Sequence, residues 1–128
     1  MNKAQALHAF WSGFNLPAID EMSAYDSATM AQLGIGYPYI TYEAAVGDFD
    51  EPVALSADLY YKSTSWAGIE AKAAEIARVI GEGGTLVPYD GGAIWIKRGN
   101  PVTERMSAEN VFDIRRIHIN INAEYLSA

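Results

Sequence analysis

The sequence predicts an α+β domain: a small, mostly antiparallel sheet of four to five strands with two helices packed on one face, in the order α-β-β-α-β-β-β. Three observations support this. Two segments carry apolar residues at helical spacing, several short segments alternate apolar and polar residues, and turn sequences join neighbouring alternating segments. The chain has 128 residues, half of them hydrophobic, so a single domain spanning residues 1–128 is expected.

The first predicted helix runs from about Asn2 to Phe14. Its apolar residues follow the i, i+3, i+4, i+7 rule, and Asn2 is suited to the N-cap. The second helix lies within "STSWAGIEAKAAEIARVIGEGG", with Gly81 expected just past its end. One apolar stripe marks the side that should face the sheet: Trp66, Ile69, Ala73, Ile76, Ala77 and Ile80.

Five strands are predicted from alternation and turn signals. The segments "PYITYEAAVG" (38–47) and "PVALSADLYYKS" (52–63) should form an antiparallel hairpin around "DFDE". "TLVPY" and "AIWIKR" flank the turn sequence Asp90-Gly91-Gly92. The last strand is "RRIHININAEYL" (115–126), in which one parity is apolar and the other polar. Residues 15–38 and the stretch after Arg98 are predicted to be connections.

Charge and composition exclude several classes of partner. The formal net charge is −7, and residues 1–61 hold one lysine against eight acids, whereas residues 62–128 hold eight of each sign. Binding to a phosphate backbone needs a basic surface, so no sequence-specific nucleic acid is expected. No apolar run is long enough to cross a bilayer and the N-terminus lacks the pattern of a signal peptide, so neither a membrane partner nor secretion is predicted.

No catalytic, cofactor or metal site is predicted, and the protein is expected not to be an enzyme. The chain has no cysteine, and no serine stands in a nucleophile-elbow motif near His118. "GIGYP" and "GEGG" lack the Lys-Ser/Thr of a phosphate-binding loop. Three readings stay open for Asp48, Asp50 and Glu51: a solvated hairpin tip, a subunit contact, or a Ca²⁺ or Mg²⁺ site.

Trp95 alternates with Ile94 and Ile96, so its side chain should point away from theirs. Two interpretations follow. Trp95 either forms an exposed aromatic patch with Tyr42 and Tyr60, of the kind enriched in protein interfaces, or packs in the core.

An ordered series of segments resembles a known family. The series is "AFWSGFNLPAIDE", "PYITYEAAVGDFDEP", "LSADLYYKSTSWAGIEAKAAEIARVIGEGG" and "DGGAIWIKRGNPVTERM", which is similar to tail-terminator (tail-completion, minor structural) proteins of long-tailed phages and prophages. The resemblance implies an α+β subunit that assembles into a ring, usually of six, capping the tail tube and joining it to the head connector. The implied partners are further copies of the chain, the tail tube protein and the head-connector protein.

The resemblance also implies a location in the tail or neck of the virion, after synthesis in the bacterial host cytoplasm. Two alternatives remain: a head-completion or stopper protein of the same neck region, and a small-molecule-binding α+β domain unrelated to phages. A small-molecule site would need a pocket lined by convergent polar groups. A plain dimeric interaction domain is a further possibility.

The polar face of the last strand is the predicted subunit interface. Its members are Arg116, His118, Asn120 and Glu124, joined by Arg115, which has the apolar parity but stands at the strand's start and is expected to turn outward. Acids of the next subunit, at Asp48, Asp50 and Glu51 or in residues 20–26, are the expected partners, because opposite charges align interfaces. The alternative is a solvated face with no partner.

Overall fold

A computed structural model describes residues 1–23, 30, 32, 34–44, 51–107 and 113–127. Its elements, in chain order, are α1 (Lys3–Ser12), β1 (Ala18–Asp20), a 3₁₀ turn (Glu21–Ser23), β2 (Tyr39–Tyr42), β3 (Val53–Lys62), α2 (Ala67–Ile80), β4 (Thr85–Tyr89), β5 (Gly92–Met106) and β6 (Ile114–Ser127).

The described strands form one six-stranded mixed sheet in the order β1-β2-β3-β6-β5-β4. β1 runs parallel to β2, and the other neighbours are antiparallel. The predicted sheet of four to five mostly antiparallel strands in the order α-β-β-α-β-β-β is therefore wrong, although the fold remains of the α+β kind. β1 was missed because three residues are too few to show alternation, and its pairing with β2 is a tertiary contact.

β5 is the second difference from the prediction. It continues to Met106, through the predicted connection, and pairs with β6 on both sides of an irregularity between Arg98 and Thr103. β6 is 14 residues long. The first half of β6 can hydrogen-bond to β5 only because β5 extends over a similar length. The bulged, Pro-containing segment hides this strand from a pattern based on strict alternation.

Both helices pack on the same face of the sheet. α1 begins with the predicted cap: the Asn2 side chain accepts from the Gln5 amide, and the Gln5 side chain accepts from the Asn2 amide. α2 ends at Gly81, whose positive φ of 73° suits glycine. Buried residues of both helices join one core with the apolar parity of β6, which is Ile117, Ile119, Ile121, Ala123 and Tyr125.

Replacing Ile76 by alanine should lower the free energy of unfolding by about 2–5 kcal/mol, because Ile76 is fully buried under α2 and its removal leaves a cavity. Val79→Ala, on the exposed side of the same helix (51% exposed), should change it by less than about 0.5 kcal/mol. Urea denaturation of both variants checks the orientation of α2, and equal midpoints would contradict it.

Candidate functional site

The face of the sheet opposite the helices is uncovered by any described element, and we call it the open face. Its side chains come from the second parity of the three central strands. The members used below are Ser56, Asp58 and Tyr60 of β3, Trp95, Lys97 and Glu104 of β5, and Arg116, His118, Asn120, Asn122 and Glu124 of β6. Those of β6 are half-buried, so neighbours on adjacent strands restrict them.

Asp58 is the shared acceptor of a hydrogen-bonded group on the open face. Its side chain is nearly buried, and Oδ1 lies 3.0 Å from Nε of Arg116 and 2.9 Å from Nδ1 of His118. Burial alone would lower the pKa of Arg116, but the hydrogen bond and charge of Asp58 outweigh it and raise that pKa. A carboxylate oxygen only accepts, so His118 makes this bond with a hydrogen on Nδ1. Asp58 thus fixes the direction of both basic side chains.

A tyrosine cluster adjoins this group at one end of the sheet. The rings of Tyr39 and Tyr60 stack with centroids 5.0 Å apart, and Tyr37 lies 5.2 Å from Tyr39. Burial raises the pKa of Tyr39, and proximity to Tyr37 and Tyr60 raises it further. Burial, followed by the charge of Asp58, raises the pKa of Tyr60. The phenols of Tyr39 and Tyr60, with their raised pKa values, therefore stay neutral at physiological pH, and the rings of the cluster present a flat, rigid surface.

Asn120 is held where β5 bulges. Its Nδ2 donates to the Pro101 carbonyl at 3.0 Å and to Oε1 of Glu104 at 3.3 Å. Gly99 approaches this point so closely that a Cβ atom would lie 2.7 Å from the Asn120 carbonyl oxygen. Only glycine fits there without displacing β6, so the bulge and the orientation of Asn120 depend on each other.

The far end of the open face carries a second ion pair. Glu124 Oε1 lies 3.3 Å from Nζ of Lys97, which also stands 4.3 Å from the centre of the Trp95 ring. Trp95 donates from Nε1 to the Gly83 carbonyl at 2.9 Å. Trp95 thus points away from Ile94 and Ile96, as predicted, and lies on the open face.

The aromatic patch considered for Trp95 does not form. Tyr42 lies on the opposite side of the sheet, buried against Trp11 of α1, while Tyr60 lies at the other end of β6. Tyr60 instead packs in the tyrosine cluster with Tyr37 and Tyr39.

The structure brings together only part of the predicted interface. Arg116, His118, Asn120 and Glu124 share the open face, whereas Arg115 lies on the helix side, where it donates to the Thr64 carbonyl at 2.7 Å and stands 5.3 Å from the Trp66 ring centre. Glu51 is exposed, two residues before β3. Asp48 and Asp50 lie outside the described residues, as do residues 24–26 of the 20–26 segment, whereas Asp20 ends β1 and Glu21 begins the 3₁₀ turn after it. Whether these residues form a subunit contact stays a prediction.

The open face includes a shallow depression of about 500 Å³. His118, Asn120 and Asn122 form one wall, with Ser56, Glu43 and Asn100 around them. The depression can accept hydrogen-bonding groups of another molecule and offers a histidine whose ring is oriented by Asp58. Within the described residues, no group of three or more histidines and acids is placed to hold a metal ion.

Asp58, Lys97 and Glu104 are the partners that sequence reasoning missed. A signal existed for Asp58, which is a single acid between Ala57 and Leu59 in the middle of an apolar strand. An acid in such a place is rarely left without a partner. Its partners, however, lie 58 and 60 residues further along the chain.

Comparison of the chain with protein-family models, curated proteins and solved structures gave no match. No helix in the described ranges is both long and apolar enough to cross a membrane.

Proposed function

We propose that this protein is a structural component of a long-tailed phage or prophage virion, a tail terminator that caps the tail tube and joins it to the head connector. It acts as a homo-oligomeric ring, most simply of six copies. The observation that carries the proposal is the open face: a broad sheet surface beside the core, with its side chains already fixed by internal contacts. The resemblance of the ordered sequence segments to terminator proteins supplies the biological setting.

A preorganised surface of this kind suits protein docking. The side chains around Asp58, Asn120 and Lys97 are held by hydrogen bonds within the subunit, so little rotamer freedom remains to be lost on association. Two pairs of opposite charges, Arg116 with Asp58 and Lys97 with Glu124, form inside the subunit, so these four groups can meet another protein without a large electrostatic cost. Arg116, His118, Asn120 and Glu124 therefore serve as a shaped contact surface in this proposal.

The mass of the protein in solution tests the ring. Six chains of 14.0 kDa give about 84 kDa, measurable by light scattering at increasing concentration and by native mass spectrometry. Electron microscopy with the tail tube protein shows whether rings sit at tube ends. A protein that stays monomeric at high concentration and also fails to bind tube ends would contradict the proposal.

Asn122→Arg should block docking of the open face. Asn122 lines the depression and is half-buried at its edge, so a long charged side chain there would project into any partner. The core lies on the other side of β6, and we expect the free energy of unfolding to change by less than about 0.5 kcal/mol. Ala71→Arg, at an exposed position of α2, adds the same charge outside the open face. If both variants complete tails equally, the open face is not a contact surface.

The depression favours one second candidate, a small polar ligand bound beside His118. Polar groups do converge there, as a ligand site would need. A thermal-shift screen of small polar metabolites, with His118→Ala as the control, distinguishes a ligand-binding protein from a purely structural one. A ligand that stabilises only the protein with His118 would favour this candidate over a purely structural role.

A further inference from the structure

The outer side of β5 beyond Ile96 is an unpaired sheet edge in the described part of the chain. β4 pairs with β5 only from Gly92 to Ile96, whereas β5 itself continues to Met106. We call residues 97–106 the β5 edge. Alternate residues of an edge strand direct their N–H and C=O groups away from the sheet. The irregularity between Arg98 and Thr103 and the presence of Pro101 interrupt this edge, so its regular part, Thr103 to Met106, is where another strand can add.

A slot of about 300 Å³ lies between α2 and the β5 edge. Its floor is apolar, since Ile117 and Ala73 are almost fully buried. The walls are completed by polar and small residues of α2 and β5: Glu70, Ala74, Ala77, Thr103, Glu104 and Arg105. The slot has the size and lining to receive one unbranched apolar side chain from a strand added along the β5 edge.

Arginines surround the slot. Arg105 pairs with Glu70 at one end. At the other end, Arg98 donates from Nε and an Nη to the Ala77 carbonyl, at 3.0 and 2.7 Å. Arg78, an exposed residue, follows in the last turn of α2. The described contacts of Arg98 are with a carbonyl oxygen, so its positive charge is open to a carboxylate from outside.

The opposite edge of the sheet has the complementary character. β1 is the terminal strand there, and the 3₁₀ turn after it carries Glu21, which is exposed, and Met22, which is 88% exposed. No lysine or arginine occurs between residues 4 and 61. Met22 is the most exposed large apolar residue described, and a flexible thioether fits irregular apolar gaps well.

From these two edges we propose the contact between neighbouring copies of this chain, an inference that rests on the ring under Proposed function. β1 of one copy adds to the β5 edge of the next, Met22 enters the slot between α2 and β5, and Glu21 meets Arg98. The two surfaces are different and lie on opposite edges of the sheet. Such a head-to-tail contact closes into a ring when its rotation permits. The open face remains free for the tail proteins.

Engineered cysteines test this contact directly, because the chain contains none of its own. Met22→Cys and Ala74→Cys are made in separate chains, both at exposed positions, then mixed and oxidised. Disulfides need Cα atoms within about 7 Å. We expect linked dimers in the mixture well above those of either variant alone, and a ladder ending at the ring when one chain carries both cysteines.

Val79→Cys replaces Ala74→Cys in the control, since Val79 is exposed on α2 but does not line the slot. Glu21→Arg should slow cross-linking several-fold, and Arg98→Glu in the other chain should restore it. Cross-linking no faster than in the Val79 control overturns this contact. The mass of the wild-type protein distinguishes failure of this contact from failure of the proposed function. If the wild-type protein forms rings but the cysteines do not cross-link, only this contact is contradicted. If neither rings nor cross-links form, both proposals are contradicted.

Discussion

Arg116→Glu is expected to lower the free energy of unfolding by about 2–3 kcal/mol. This value lies between the cost of about 0–1 kcal/mol for an exposed ion pair and about 3–5 kcal/mol for breaking a buried one. The pair is intermediate, because the Arg116 and Asp58 side chains are 29% and 12% exposed. The substitution removes the cation that compensates Asp58 and places a second carboxylate beside it.

The matched control is Arg105→Glu, the same substitution in an exposed pair with Glu70, whose side chains are 55% and 46% exposed. We expect a loss of about 0–1 kcal/mol there. Urea denaturation at neutral pH measures both. Equal losses would mean that Asp58 does not need Arg116 in the folded subunit. The result matters for function, because an assembly defect of Arg116→Glu reports on the interface only after its effect on folding has been subtracted.

Trp11→Ala should be the most damaging substitution in the helix-covered core, with a loss of about 3–5 kcal/mol. Trp11 is 1% exposed, and its ring packs edge-on against Phe10 with centroids 4.9 Å apart and is stacked over Tyr42 at 6.5 Å. Removing the ring leaves a large cavity where α1 meets the sheet, and it also removes the aromatic contacts that hold α1 in place.

Trp95→Ala is the control, since it removes the same number of atoms from the open face. Trp95 is only half-buried, and its loss should cost clearly less, mainly one hydrogen bond to the Gly83 carbonyl and the contact with Lys97. Thermal melting followed by circular dichroism ranks the two variants. A melting temperature of Trp11→Ala at or above that of Trp95→Ala would show that the helix-covered side is not the core.

The sequence of β6 predicts which face of the sheet its side chains occupy, but not what each side chain contacts. Its alternation correctly divides Ile117, Ile119 and Ile121 from His118 and Asn120, because strand geometry assigns successive side chains to opposite faces. The same parity places Arg115 on the helix side. The prediction that Arg115 turns outward is wrong, because contacts with Trp66 and the Thr64 carbonyl hold its side chain on the helix side. Periodicity identifies a face, but the contacts of a long side chain depend on what lies across that face.

Local sequence alone determined the positions of the two helices, the Asn2 cap, the Gly81 ending, and the alternating strands β3 and β6. Each depends on residues within a few positions of one another, so short-range spacing is sufficient. The tertiary structure alone decided the parallel pairing of β1, the extension of β5 to Met106 and the joining of Asp58 to Arg116. Those features are pairings across about 10 to 60 residues of chain, and their stability comes from neighbours that no local pattern specifies.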